Sequence, residues 1–394
     1  MFVLFVIYAI CIIFIWWSYA GYIFYLFVYY LLRRGSTEQA IKQSDNPTIT
    51  VIVPIFDEEE LITRKINNLK KLLYSGEVEF ILVDGGSTDK TVPKLKKLIK
   101  NSKKFKFLIT NKGKINQLNR GLVLAKGEIV VCTDVDAILP TNALKILAGQ
   151  FMSNKKIGLV GAYIIPKGDS LEKEYWQEQN QLRMIESVVY SASIICAPCF
   201  AFRSALFKSF PEDCVADDVY LSFYMQSQDY LVKYDSRILV YELRASKNIL
   251  EFFTHKFRKA NAYITELLRF VYAINKLNIR FKIIFLTRFL QVIILPWILL
   301  LFTAISVNLI IINNSYRLAV AVVFIFLGLS AFLAALLFNQ GIFSLKLRAG
   351  KTKIFNFKIF LYSNIILFFA IFAYLFFHQD SSFQKIKNQI RKAT

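Results

Sequence analysis

Apolar positions along this chain fall into two textures. From Met1 to Leu32 no residue is charged, and three later runs, about Phe289–Ile312, Leu318–Phe338 and Ile359–Phe377, are nearly as apolar. Each is long enough to cross the roughly 30 Å of membrane hydrocarbon at ~1.5 Å per residue. The first exceeds that length, which predicts a tilted helix or one bent near Ser18–Gly21. Pro296 is tolerated in such a helix. From Pro47 onward the period changes to alternating strand and helix patterns. Strands are predicted at Thr48–Phe56, Glu77–Asp84, Phe105–Thr110, Glu128–Asp136 and Ile157–Ile165, with helices at Glu59–Tyr74, Lys90–Lys100 and Lys114–Ala125. Thr141 is placed to cap a further helix. This β-α-β-α order predicts a doubly wound, mostly parallel sheet. Beyond Pro166 the pattern loosens into a long helix at Leu171–Tyr190, a short one at Asp217–Gln228, and a strand or hairpin at Tyr230–Leu243. Ile249–Ile283 mixes aromatics with Lys256, Arg258, Lys259, Arg269, Lys276, Arg280 and Lys282, a composition suited to helices in the membrane interface.

The chain therefore divides into an N-terminal membrane helix (1–34), a soluble α/β domain (47–245), interfacial amphipathic helices (246–283), about three C-terminal membrane helices (284–378) and a basic tail (379–394). The first span lacks the basic start and short apolar core of a secretory signal and reads as a retained anchor. Arg33-Arg34 after it places the soluble domain in the cytoplasm. Lys346, Arg348, Lys351 and Lys353 agree, because they make the loop between the second and third C-terminal spans cytoplasmic as well. The tail, with Lys385, Lys387, Arg391 and Lys392, would then lie outside unless the last span is re-entrant or interfacial.

Composition narrows the partners. The chain has 394 residues, 55% of them hydrophobic, and a net charge of +21. That excess points to anionic partners, and so much apolar sequence favours a membrane surface and phosphorylated substrates over nucleic acid. No nucleic-acid module is present. Five cysteines do not form a disulfide or zinc pattern, although Cys196 and Cys199 make a Cys-x-x-Cys, and with two histidines a His-rich metal centre is excluded.

The candidate chemistry starts with Val130-Val131-Cys132-Thr133-Asp134-Val135-Asp136, an apolar run ending in two acids. Alternation along a strand would point Asp134 and Asp136 the same way, at the sheet edge where α/β ligands bind. Two such acids either share a divalent cation or are a pair of solvated loop carboxylates. No Gly-x-Gly-x-x-Gly or Walker sequence is present to hold phosphates.

Five motifs in order resemble the inverting, metal-dependent family 2 glycosyltransferases of GT-A type. Pro54-Ile55-Phe56-Asp57-Glu58 resembles the family's Pro-x-x-Asn-Glu, with Asp57 replacing Asn. Val83-Asp84-Gly85-Gly86-Ser87-Thr88-Asp89 resembles its Val-Asp-(Asp/Gly)-Gly-Ser-x-Asp. Gly113-Lys114 opens a Gly-Lys-x-x-Ala-Leu-Asn-x-Gly-like run. Asp134 and Asp136 match Asp-x-Asp, and Ala216-Asp217-Asp218 stands where the family has Glu-Asp or Thr-Glu-Asp. The resemblance implies a donor site in which Pro54, Phe56, Glu58 and Asp84 border the base and Lys114 meets the phosphate or ribose region. It implies that Asp134 contacts ribose or metal, and that Asp136 binds Mg²⁺ or Mn²⁺ bridging the diphosphate. Asp218 would be the general base, with Asp217 positioning it or the acceptor. As a plain alternative, the two acids serve only as a helix cap and dipole partner, and Asp89 caps the helix at Lys90.

His255-Lys256-Phe257-Arg258-Lys259 stands where processive family members carry Gln-x-x-Arg-Trp. Arg258 is kept and could grip a pyrophosphate; the Trp is not. The resemblance therefore implies a membrane-embedded transferase moving a sugar from a nucleotide donor, UDP by family default and guanosine as the other choice, to a lipid-linked or lipid acceptor. A processive β-polysaccharide synthase acting on a glycan acceptor, and a catalytically silent membrane scaffold, are the alternatives. A multi-pass protein of the plasma membrane with a cytoplasmic catalytic domain is expected in the first two cases.

Overall fold

The computed structural model describes residues 1–33, 46–167, 170–246, 248–313, 315–339 and 357–376. Helix α1 (Phe2–Trp16) passes through a π-helical turn at Trp17–Gly21 into α2 (Tyr22–Arg33). The irregularity coincides with the bend expected near Ser18–Gly21. There follow β1 (Ile49–Ile55), α3 (Ile62–Lys70), β2 (Val78–Asp84), α4 (Thr91–Ile99), β3 (Phe105–Ile109), α5 (Lys114–Leu124), β4 (Ile129–Thr133) and β5 (Ala137–Ile138). Next come α6 (Ala143–Ser153), β6 (Ile157–Pro166), α7 (Ser170–Val189), β7 (Cys199–Arg203), α8 (Asp217–Ser227), β8 (Leu231–Glu242) and α9 (Ile249–Arg269). A 3₁₀ turn at Val271–Lys276 leads to α10 (Ile279–Phe289), a second π-helical turn at Leu290–Ile294, α11 (Leu295–Ile312), α12 (Tyr316–Asn339) and α13 (Phe357–Phe376).

The chain forms two units, one of residues 1–36, 253–264 and 278–379, the other of 37–252, 265–277 and 380–394. Among the described residues, the first holds four segments long and apolar enough to cross a membrane: Phe2–Leu32, Ile279–Ile312, Tyr316–Ala334 and Lys358–Phe376. The second of them starts earlier than the apolar run alone suggested, because α10 continues into α11 through the π turn and takes Arg280 and Lys282 into its first turn. Packing inside this unit is supplemented by hydrogen bonds between helices. Tyr8 and Ser306 hydroxyls lie 3.1 Å apart, Trp17 donates to Thr287 at 3.2 Å, and Gln291 donates to the Ser18 carbonyl at 2.7 Å. Apolar surface gives little reason for helices to associate in lipid, so such bonds add specificity there. The basic loop at Lys346–Lys353 and the basic tail lie outside the described residues.

The second unit is built on one eight-stranded sheet in the order β3-β2-β1-β4-β7-β6-β8-β5. β1 and β4 are continuous apolar runs because both their faces are covered, and Ile49–Val53 and all of β4 are buried. Pro54 pairs with Val83 but lies past the end of the β1–β4 ladder, so its missing N–H leaves no gap on that side. Helix α5 packs closely on β1: a Cβ at Gly121 would stand 2.6 Å from Ile52 Cγ2.

The mostly parallel sheet expected from the sequence is present, with four parallel and three antiparallel pairings. The sheet is mixed: β7 runs antiparallel between β4 and β6, and β5 antiparallel to β8. After α7 the chain is tied to the start of β8, through Ala192 N–H to Val232 O at 2.8 Å. It then climbs to the end of β4, where Asp134 N–H reaches Pro198 O at 3.2 Å, so β7 must descend. One other expectation needs correcting. Thr141 caps nothing: the N-cap position of α6 is Asn142, without a side-chain cap bond.

Candidate active site

Three chain turns meet at the carboxyl ends of β1, β2 and β4. After β1, Asp57 adopts φ 47°, a left-handed conformation that Asp and Asn accept more readily than other non-glycine residues. The replacement of Asn by Asp in that motif is thus conformationally neutral. Ser87 joins this turn to the one after β2, its Oγ accepting from Asp57 N at 2.8 Å and donating to Asp84 Oδ2 at 2.5 Å. Asp84 is fully buried, and its Oδ1 accepts from Gly86 N and Ser87 N at 2.9 and 2.8 Å. Its visible work is to shape its own turn. Asp89 accepts from Thr91 N at 2.9 Å just ahead of α4, although the N-cap position itself is Lys90, without a side-chain cap bond. Phe56 carries Lys112 over its ring, 4.7 Å from the centroid.

Glu58 is engaged by a residue that local motifs did not single out. It is buried and takes a two-pronged ion pair from Arg244, one arm at 2.8 Å. Its place is therefore the floor of the site, with both carboxylate oxygens occupied.

Lys114 is the hub. Gly113, at φ 128°, supplies the N-cap conformation of α5, and Lys114 follows as the first helical residue. Its Nζ lies 3.0 Å from Asp134 Oδ1 and 3.2 Å from Asp217 Oδ1. Burial alone would lower its pKa, but Asp134, Asp217 and Asp218 outweigh that and raise it, so the ammonium stays charged.

β4 stops at Thr133, short of the predicted end at Asp136. Asp134 and Asp136 sit on a tight turn instead, closed by Ala137 N–H to Asp134 O at 3.2 Å. Burial pushes the Asp136 acid up to about 7, helped by the carboxylates of Glu242 and Asp134 and opposed by Arg244. A site that crowds carboxylate oxygens until one resists ionising is matched to a hard divalent cation, which would reverse that penalty. Asp134 and Asp136 are thus donors of the type that the implied ion takes, although among the described residues no group of three or more His, Cys, Asp or Glu side chains is gathered to hold a metal by itself. Beneath the turn lies fully buried Lys65, donating to Thr133 Oγ1 at 2.8 Å and to Ala137 O at 2.7 Å.

Asp217 and Asp218 open α8 and differ sharply. Asp217 is buried, its Oδ2 has no hydrogen-bond partner among the described residues, and burial raises its acid to about 7 against the pull of Lys114. Asp218 is half-buried, and its Oδ2 is aimed by the Ala197 N–H at 2.9 Å. Ala197 belongs to the Cys196–Cys199 segment, whose thiols, like those of the other three cysteines, are buried and in no disulfide.

The structure thus brings together Asp134, Asp217 and Lys114, with Asp136 in the adjoining turn and Asp218 beside Asp217. Arg258 falls within residues 253–264, in the membrane-helix unit, and the site described here is made of the other unit alone. Sequence reasoning missed Arg244, Glu242 and Lys65. No local pattern marks them: Glu242 ends an ordinary strand, Arg244 follows it, and Lys65 sits on a helix face that looks amphipathic.

Comparison with known proteins identifies the fold and the domain. Residues 50–210 match the family described as Glycosyl transferase family 2. The chain is 27% identical over 205 residues to a poly-β-1,6-N-acetyl-D-glucosamine synthase of Staphylococcus epidermidis, covering 50% of each chain. It is 26% identical over 205 residues to the synthase of the same name from Staphylococcus aureus strain COL, covering 50% of this chain and 47% of that one. The chain thus spans about half the length of the curated relatives it matches. Among solved structures, the mannosyltransferase PcManGT from Pyrobaculum calidifontis, in complex with GDP-Man and Mn²⁺, superposes with a TM-score of 0.65 at 22% identity, covering 94% of this chain and 99% of that one. That likeness is one of fold.

Proposed function

We propose that this chain, which carries a glycosyl transferase family 2 domain of GT-A fold, is a membrane-embedded inverting glycosyltransferase that moves a sugar from a nucleotide-sugar donor, UDP-linked by family default, to a lipid-linked or lipid acceptor. The observation that carries the reading is Lys114 holding Asp134 and Asp217 at once, which sets the acidic turn and the acid pair of α8 around one cationic centre. In this reading the donor's base lies by Pro54, Phe56 and the Asp84 turn, and its diphosphate lies near Lys114. Mg²⁺ or Mn²⁺, held by Asp136 with Asp134, would neutralise charge developing on the departing diphosphate.

Asp218 takes the proton of the acceptor hydroxyl as that oxygen attacks the anomeric carbon from the face opposite the leaving group, which inverts the centre. Its half-exposed position and the fixed Ala197 N–H support it as the base, whereas Asp217, buried against Lys114, braces it. Lys114 adds a fixed positive charge where negative charge accumulates, without needing to reorganise. Arg258, on α9, is a candidate second grip on the pyrophosphate. The protein would lie in the plasma membrane as a multi-pass chain with its catalytic domain in the cytoplasm.

A second reading, a processive polysaccharide synthase, is favoured by the names of the Staphylococcus relatives. Lys259, where processive synthases carry an acceptor-stacking Trp, favours the first. The deciding experiment incubates the purified chain in lipid with a panel of radiolabelled UDP- and GDP-sugars, Mn²⁺ and membrane lipid extract. A chloroform-soluble product supports the lipid acceptor and a long water-soluble polymer supports the synthase. No turnover with any donor rejects both.

A further inference from the structure

Helix α8 presents the two acids just discussed, yet its N-cap position is Ala216, which has no side-chain oxygen to accept from the exposed N–H groups of a helix start. A side chain from the far end of α9 instead takes hold of the segment that leads into that helix start. Glu266 is completely buried, and its Oε1 accepts from Val215 N at 2.8 Å. Burial raises its acid, and the Val215 N–H, Arg269 and the Ala216 N–H pull it back. Arg269 then continues the chain of contacts: its Nε lies 2.9 Å from Glu266 Oε2, and its two terminal nitrogens take Asp213 Oδ1 and Oδ2 at 2.9 and 3.0 Å. The same guanidinium lies over Tyr220, one turn into α8, 5.8 Å from the ring centroid. Phe270 packs edge-on against Tyr220 at 5.3 Å. Val215, Glu266, Arg269 and Phe270 all belong to the sheet-bearing unit.

From this geometry we infer that Glu266 is a positioning residue for the transfer step, holding the approach to α8 from another helix and fixing the run Asp213–Ala216 so that Asp217 and Asp218 face Lys114 and the acceptor. The inference rests on the transferase reading. Two features make it more than packing. The bond falls on the residue before the N-cap of the helix that carries the acids, and a carboxylate is completely buried there to make it. Through Arg269 it also holds Asp213, at the start of the loop that leads into the acids.

The experiment compares Glu266→Gln and Glu266→Leu with wild type in the full chain in nanodiscs. It measures kcat, donor KM and, separately, equilibrium binding of the donor with Mn²⁺. Glu266→Gln keeps an oxygen for the Val215 N–H; Glu266→Leu does not. The expected result is a fall in kcat of roughly 10- to 100-fold for Leu, with donor KM and donor binding within about twofold of wild type, and recovery of most of kcat in Gln. Intact donor binding shows that the Leu variant is folded. Should that variant not fold, Arg269→Met, which leaves the Val215 bond and releases Asp213, is measured instead and is expected to lower kcat alone by a smaller factor. An unchanged kcat overturns the inference, and so does a loss of kcat and donor binding together that Gln does not relieve. An inactive wild type sinks the transferase reading and this inference with it, whereas an active wild type beside an unimpaired Leu variant sinks the inference alone.

Discussion

Lys114 Nζ stands 3.2 Å from Asp217 Oδ1 and so ties the first residue of α5 to the first residue of α8, more than a hundred residues later in the chain. Removing that charge leaves Asp217 buried beside Asp134 and Asp218 with nothing to offset them. Lys114→Met is therefore expected to lower kcat/KM by about 10²-fold, because one preorganised positive group is lost where charge develops. Steady-state kinetics over a range of donor concentrations checks it, and a change of less than threefold would remove Lys114 from the centre of the site.

Asp218 and Asp136 are expected to fail in opposite ways. Asp218→Asn keeps its shape and its Ala197 contact but cannot take a proton, so kcat should fall by about 10²- to 10⁴-fold while the donor still binds. Asp136→Ala should instead weaken donor binding in the presence of Mn²⁺. Calorimetry on both variants, beside turnover, separates them; transfer near the wild-type rate in Asp218→Asn would reassign the base.

Glu58 and Arg244 make a test of stability. With Arg244 gone, the largely buried Glu58 carboxylate loses both arms of its ion pair, so Arg244→Met should destabilise the sheet-bearing unit by ~3 kcal/mol. Adding Glu58→Gln should restore part of that loss, since the double variant strands no charge. Thermal unfolding of the single and double variants measures the coupling, and strictly additive losses would deny it.

Lys65 provides a pH signature. Burial lowers its pKa to about 8, while an unfolded chain holds a lysine near ~10.4. Between those values the unfolded chain binds more protons, so raising the pH from about 8 to about 10.4 stabilises the fold, by ~3 kcal/mol across the window. Below pH 8 both states carry the charge and the contribution is absent. The difference in unfolding temperature between wild type and Lys65→Met should change across that window and be flat below it.

These residues also show what could be read from the sequence. Strand and helix order, the four long apolar segments of the described residues and the Lys114, Asp134 and Asp217-Asp218 motifs were legible because each is local: a buried strand is a run, a membrane helix is a longer one, and a motif on a turn keeps its few residues together. Glu58–Arg244 spans 186 positions and Val215–Glu266 spans 51, and nothing in either neighbourhood names the partner. The acids of β4 were misplaced for a related reason. Apolar run and alternation carried the strand to Asp136, but it ends where its neighbour β7 begins, at the Thr133–Cys199 pair, and that pairing is set by a segment far along the chain.

The strand order gives the acidic turn a second meaning. β4 is fourth in the sheet and β5 eighth, yet only Asp134, Val135 and Asp136 separate them in sequence. In a flat sheet the four intervening spacings of ~4.8 Å would put these strands about 19 Å apart. The chain from Thr133 to Ala137 can reach at most about 14 Å. The sheet must therefore roll until its far edge comes back to its middle, with the three residues as the drawstring and Lys65 knotting both ends. Lengthening that link by a residue would slacken the whole roll before it moved either acid, so the spacing of the two carboxylates is held by the closure of the sheet as much as by any ion between them.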